Sequence, residues 1–419
     1  MPSTANDAQA GSTGTRLAWL MLIALSTGFT LSQAFRTVAA IMGPPLAQEL
    51  GLSKQQLGLW AATFHFSFGL MQLIFGVSID LWGVRRTILA AFPMAVLGAV
   101  VSALAPSFGV LLLGQAMIGT GCSPAFLVCT VFIARHFSAD RFTATSGVVM
   151  SVSGLGVLLT ATPLAALIEA TSWRWSYGAL ALLGVAAWVA IFLRVRDAAS
   201  EPAPEASAQQ RQSVWQAMGG LVQLFRLPHT AGLVAYALVA YAGFITLRGL
   251  WLGPILIERH GLSLVQSGNV ALLMTLGSMV SPAVFGRLDP GGERRVRWLI
   301  GFSLTAGLLL LAMAFARSLW LDVALPIVYG ALSGYGLLQY GYVYGAYPAA
   351  ARGRALSLFT MAMFLGVSLM QWVSGVAATA AKSLGFEPFA GALATMALML
   401  AAGGVGFWLL PRAGTGTPP

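Results

Sequence analysis

Charge is scarce in this chain: lysine, arginine, aspartate and glutamate make up 9% of its 419 residues, against roughly one-quarter in soluble domains. That shortage excludes an ordinary soluble enzyme or nucleic-acid-binding domain, whose surface needs charge throughout. Cysteine is nearly missing. Cys122 and Cys129, the only two, lie seven residues apart on one face of a single apolar run, so no disulfide is expected and both read as small packing residues. A metal carrier would draw on these and on Met274 and Met279, but the spacings do not make a ligand set, and no metal is expected. Asparagine occurs only as Asn6 and Asn269, neither in an N-x-S/T sequon. With no catalytic triad, nucleotide loop or metal cluster in view, neither enzyme activity nor a cofactor is expected.

What fills the chain instead is apolar: 58% of residues are hydrophobic and the mean hydropathy is +0.80. Crossing ~30 Å of hydrocarbon takes about 20 residues of helix. Twelve such runs can be placed, near 17–46, 56–79, 87–105, 109–133, 146–168, 176–194, 231–256, 264–286, 298–316, 319–345, 356–380 and 389–410. The fold expected is an all-α membrane protein of twelve transmembrane helices in two pseudo-symmetric six-helix halves. Its parts are a polar N-terminus (1–16), an N half (17–194), a linker with an amphipathic helix (195–230), a C half (231–410) and a tail (411–419).

The net charge of +10 does not point to nucleic acid, because of where the basic residues sit. With the N-terminus placed in the cytoplasm, sixteen of the 23 fall in inside segments and five in outside loops. By the positive-inside rule both termini are cytoplasmic. Met1 to Thr15 lacks the basic start of a secretory signal, so the first helix is expected to stay uncleaved. In the linker, Val214, Met218, Leu221, Val222 and Phe225 share a helical face, read as a surface helix begun by Ser213.

The two remaining basic residues are Arg36 and Arg248, and around them the chain repeats itself. Gly43-Pro44 to Gly58 and Gly253-Pro254 to Gly268 are identical at eight of sixteen positions, 210 residues apart. The prolines are expected to end their helices, which puts Arg36 roughly 12 Å and Arg248 roughly 9 Å inward. A mid-membrane arginine costs ~2.5–3.5 kcal/mol on insertion scales, so each should face a wet cavity or a partner. At the 210-residue offset Arg248 aligns with Val38, two positions from Arg36, and two positions turn a helix by about 200°.

A second repeated constellation is D-x-x-G-x-R-R: Asp80, Gly83, Arg85 and Arg86, then Asp289, Gly292, Arg294 and Arg295. With Gly76 the first copy resembles the signature between helices two and three of the major facilitator superfamily, departing from it at Leu81. The resemblance covers essentially the whole chain. It implies rocker-switch alternating access, substrate bound at the midplane between the halves, and a loop from Asp80 to Arg86 that latches one conformation, with its counterpart at Asp289 to Arg295. Gln115 stands where the superfamily often has an arginine linked to proton coupling. The drug antiporters' glycine-proline pattern is missing from segment five. Trp173-Arg174-Trp175 resembles the superfamily's interface anchor.

Segment seven, with Arg248, Trp251 and Pro254, is similar to that of the organophosphate and organic-anion branch. In the branch's glycerol-3-phosphate antiporters two arginines grip a phosphate, which the resemblance carries to Arg36 and Arg248, although Arg248 is two residues closer to its proline. Tyr335, Gln339 and Tyr342 share one face of segment ten, suited either to lining a cavity or to packing. Gln371 and Trp372 in segment eleven are read the same way.

All thirteen acidic residues lie in loops or near helix ends, so no carboxylate is expected mid-membrane to bind a cation or shuttle a proton. A cavity holding two arginines suits an anion, because the planar guanidinium pairs carboxylate or phosphate bidentately. The expectation is therefore a monomeric secondary transporter of a small organic anion in a cell inner membrane. Its substrate would be held by Arg36, Arg248, His65, Trp251, Tyr335 and Gln339, with a proton on His65 or an exchanged anion as the coupling species. The alternative is a drug or metabolite exporter that does not need the arginines.

Overall fold

Apolar runs in a medium without water must satisfy their own backbone, and helices are how a single chain does so. The structure, a computed structural model, describes residues 4–196 and 214–411. Twelve helices there are long and apolar enough to span a bilayer: α1 (Arg16–Thr37), α2 (Lys54–Ile79), α3 (Leu81–Ala103), α4 (Phe108–His136), α5 (Ala144–Ala170), α6 (Trp173–Arg194), α7 (His229–Arg259), α8 (Leu264–Leu288), α9 (Gly292–Ala316), α10 (Leu319–Ala346), α11 (Ala351–Ser383) and α12 (Pro388–Leu409). Helices α1–α6 form the N half and α7–α12 the C half. Residues 197–213 of the linker and 412–419 of the tail lie outside the described residues.

The surface helix is present as Val214–Leu224, but its contact face differs from the expected stripe. Leu221 and Leu224 pack against Leu358 and Phe359 of α11, whereas Val222 and Phe225 are exposed. Ser213 and the side chains of Val214 and Met218 lie outside the described residues.

The prolines of the first repeat do not end a helix. After α1 stops at Thr37, a short helix, Ala39–Leu50, runs straight through Pro44 and Pro45. Proline lacks the N–H that would bond four residues back, which frees the carbonyl of Ala40. That carbonyl faces α7 at Gly253, where a Cβ would lie 1.8 Å from the oxygen. The prolines therefore loosen a helix at a point where only glycine lets α7 come close.

The other repeated residues build the same turn twice. Gly51 (φ 62°) and Gly261 (φ 71°) take left-handed backbone that suits glycine and end the preceding helix. Ser53 and Ser263 then cap α2 and α8, each completing a capping box with Gln56 or Gln266. One turn on, Gly58 lies against the backbone of α11 at Gln371 and Gly375, and Gly268 against α5 at Ala161 and Thr162. Two seams, α2–α11 and α5–α8, thus join the halves by glycine contact.

Hydrogen bonds between the halves gather at the end away from the chain termini. Lys54 pairs with Glu258 at 2.5 Å, Gln55 N–H donates to Thr379 Oγ1 at 2.9 Å, Thr162 donates to Asn269 at 2.7 Å, and Val265 N–H donates to Glu169 at 3.1 Å. These contacts tie the halves together at that end.

Candidate substrate site

Arg36 lies in the last turn of α1 and is buried. Its guanidinium carbon stands 4.6 Å from the ring centre of Phe68 on α2 and 4.8 Å from that of Phe364 on α11. Those two rings are themselves 4.5 Å apart, tilted by 51°, so cation and rings form a nearly equilateral triangle that straddles the halves. Such contacts stabilise a cation by ~0.5–2 kcal/mol, but they supply no oxygen. Arg36 Nε is buried without a hydrogen-bond partner. Among the described residues Arg36 belongs to no ion pair.

His65 and Gln371 sit in the same seam, within reach of the Arg36 charge. Both His65 Nδ1 neighbours are oxygens, Gln371 Oε1 at 3.0 Å and the Ala61 carbonyl at 3.3 Å. Nδ1 therefore carries the proton in the neutral ring, and Nε2 is left as a buried acceptor without a partner. Gln371 Nε2 is likewise a buried donor with nothing to bond.

Arg248 is placed differently. It lies in a π-helical turn, Leu247–Trp251, whose wider winding re-aims the side chain relative to an α-helix. It is fully buried. Nε donates to Thr275 Oγ1 on α8 at 3.0 Å and Nη2 to the Val157 carbonyl on α5 at 3.3 Å, while Nη1 has no partner. The two arginines leave touching backbones, since a Cβ on Gly249 would be 3.2 Å from the Arg36 carbonyl. Their side chains then part: Arg36 enters the α2–α11 seam and Arg248 the α5–α8 seam. These are equivalent stations in the two halves, reached despite the two-residue offset, and they do not make one shared grip around Arg36.

Two other expected site residues are occupied by packing. Trp251 is fully buried and donates to Ser374 Oγ at 2.9 Å. Tyr335 donates to the Ala240 carbonyl at 3.0 Å and stacks on Phe302. Both belong to the interior of the C half because a neighbouring helix offers each donor an acceptor. Gln339 is buried with neither amide atom bonded. Gln115 donates to the Tyr177 hydroxyl at 2.8 Å, a bond inside the N half.

The turns expected to act as latches bond within their own halves. Gly83 (φ 82°) breaks the helix between α2 and α3. Arg85 reaches the carbonyls of Phe192 and Val195 at 3.2 and 2.6 Å, closing the end of α6. Arg86 is exposed, Gly76 has space around it, and the Asp80 side chain lies outside the described residues. In the second copy Gly291 and Gly292 both have positive φ, and Arg295 grips Asp289 with two bonds of 2.8 and 2.7 Å. Those bonds hold the Asp289 carboxyl below the usual carboxylate range. Arg294 is exposed.

Sequence reasoning missed Phe364, which becomes Arg36's neighbour only when α11 packs on α2. It also missed the far-end charges. Asp322 lies in the first turn of α10, at a helix end as expected, yet is fully buried. Its Oδ2 meets Arg259 at 2.8 Å and His260 at 2.7 Å, and Arg259 also pairs with Glu387 at 2.7 Å. Trp173 and Arg174 bond Glu49, which makes the anchor also a tie to the helix after α1. Among the described residues no His, Cys, Asp and Glu cluster suits a metal.

The sequence resembles known proteins in keeping with this architecture. It is 23% identical over 253 residues to a hexuronate transporter of Bacillus subtilis, a match spanning 60% of this chain and 59%, less than two thirds, of that protein. It is 22% identical to a probable sulfoacetate transporter of Cupriavidus necator, over 66% of this chain and 67% of the other. A solved D-xylose–proton symporter superimposes with a TM-score of 0.73 at 14% identity, covering 94% of this chain and 98% of that one. Residues 24–369 match the Major Facilitator Superfamily as a whole, and with twelve spans arranged as two repeated halves the chain belongs to that family of membrane transporters.

Proposed function

We propose that the transported species is a small organic anion received at Arg36, in the seam between α1, α2 and α11. The observation that carries this is a buried guanidinium that rests on two phenyl rings, belongs to no ion pair among the described residues and has an Nε without a hydrogen-bond partner. A cation in that position is stabilised most by an acceptor that brings negative charge. The two relatives, a hexuronate transporter and a probable sulfoacetate transporter, carry anions, which supports the same reading. Gln371 Nε2 supplies a further donor, and His65 Nε2 accepts a proton that accompanies the anion. Arg248, bonded on both sides of its own seam, acts in joining the halves.

With the arginine-rich ends in the cytoplasm, the end tied by Lys54 and Glu258 faces outward. Return to the outward-open form requires the Lys54–Glu258 pair and the glycine seams to part, while the turns at Asp80–Arg86 and Asp289–Arg295 come together to latch the inner side. The working unit is the monomer in a bacterial inner membrane.

The test is thermal stabilisation of the purified protein by carboxylates, organophosphates, neutral metabolites and cationic drugs, beside Arg36→Gln. Stabilisation by one anion class that disappears in the variant is the expected result. Stabilisation by neutral or cationic compounds, equal in both proteins, would replace this reading with drug export.

A further inference from the structure

We infer that the anion carries a single negative charge on a planar, apolar body, as an aromatic monocarboxylate does. This rests on the anion reading of the Arg36 site and specifies its substrate class. Charge is the first argument. Arg248 is sealed and bonded to Thr275 and Val157, so Arg36 alone offers its charge in the α2–α11 seam. A dianion would bring a second charge into a low-dielectric site without a matching cation, and burying an unpaired charge is costly.

The second argument is the wall. The ring centres of Phe68 and Phe364 lie 4.6 and 4.8 Å from the guanidinium carbon, so the body of a carboxylate paired with Arg36 has an aromatic wall beside it. Behind those rings stand Phe64, stacked on Phe68 at 5.8 Å, and Tyr241, edge-on to Phe364 at 5.9 Å. Tyr340, 37% exposed, is the accessible aromatic nearby, and its hydroxyl is turned to Met363 Sδ at 3.7 Å.

The third argument is what the wall cannot do. Among the described residues, the buried polar atoms without partners in this seam are Arg36 Nε, His65 Nε2 and Gln371 Nε2, whereas the surface beside Arg36 is aromatic. Each buried hydroxyl left unpaired costs ~1–3 kcal/mol, whereas an aromatic pair contributes ~0.5–1.5 kcal/mol beyond its burial.

The experiment is equilibrium binding to the full chain in lipid nanodiscs, with benzoate, acetate, glucuronate, phthalate and benzyl alcohol as probes. Benzoate is expected to bind at least about tenfold more tightly than glucuronate or phthalate, benzyl alcohol not at all, and Arg36→Gln to abolish benzoate binding. Phe364→Leu, whose folding is checked by its unfolding temperature, should weaken benzoate about tenfold more than it weakens acetate. If glucuronate or phthalate equals benzoate and depends on Arg36, or if Phe364→Leu weakens both carboxylates alike, the inference fails while the anion reading stands. If no anion binding depends on Arg36, both fail together.

Discussion

Gly58 and Gln371 meet backbone to backbone across the two halves: a Cβ on Gly58 would lie 2.5 Å from the Gln371 carbonyl oxygen. The same Gln371 bonds His65, two turns further along α2. Spacing of the α2–α11 seam is thus set where glycine has no side chain. Gly58→Ala must push α11 away, an overpacking cost of typically ~1–3 kcal/mol. We expect a lower unfolding temperature and a longer distance between labels at Gln55 and Thr379, read by pulsed electron spin resonance. Gly43→Ala is the control, since its nearest neighbour would be an ordinary 3.9 Å from Leu57, and it should change neither quantity.

The Lys54–Glu258 pair closes the same end by charge, and its partners are 15% and 37% exposed. Pairs so placed contribute ~0.2–1 kcal/mol. Lys54→Gln should therefore shift the closed-to-open ratio by no more than about fivefold, and added salt should shrink the effect. The swapped double variant Lys54→Glu with Glu258→Lys should restore the wild-type label distance. A shift far beyond that range would mean that the pair, and not the glycine seams, holds the far end closed.

Much of the architecture was legible because hydropathy alone marks helices in a bilayer, and because the repeat at Gly43–Gly58 and Gly253–Gly268 announces two halves. What the repeated residues do was less legible. Pro44 reads as a stop, yet the helix continues, because the carbonyl it frees is turned toward Gly253. Arg36 could be singled out by its depth alone. Its neighbour Phe364 could not, because that contact joins residues over 300 positions apart and depends on how α11 packs on α2. Trp251 and Tyr335 look like cavity residues in a sequence, where the acceptors at Ser374 and Ala240 that occupy them are invisible.

Arg36 and Arg248 should separate cleanly in mutagenesis. Arg36→Gln removes a cation that belongs to no ion pair among the described residues, so the unfolding temperature should stay near wild type while anion affinity is lost. Arg248→Gln leaves Thr275 and the Val157 carbonyl without this donor. Thr275 still bonds Ala271 and Val157 still accepts from Thr160, so the loss is of two hydrogen bonds from a charged group, ~1.5–3 kcal/mol each, and this variant should melt several degrees lower. Arg248→Lys should not restore it, because an ammonium lacks the fork that reaches both helices. Equal unfolding temperatures for the two glutamine variants would contradict the division of roles.

Asp289 supplies the pH test that isolates His65. Its carboxyl is held below the ordinary carboxylate range by the hydrogen bonds from Arg295. A carboxyl whose folded value is depressed contributes stability that is fully present above its unfolded value near ~3.9 and is lost as pH falls through the lower folded value. Between pH 5 and 8 that contribution is constant, at most about 1 kcal/mol for a partly exposed pair. Asp289→Asn should therefore lower the unfolding temperature by the same small amount throughout this range, with the gap closing only below about pH 4. Any change in anion transport between pH 5 and 8 then has another source. His65 Nε2 is the proton acceptor of the proposed cycle, so His65→Gln should flatten the transport pH profile while Asp289→Asn leaves its shape intact. A profile unchanged by His65→Gln would remove the proton from the proposed cycle and leave exchange of one anion for another as the coupling.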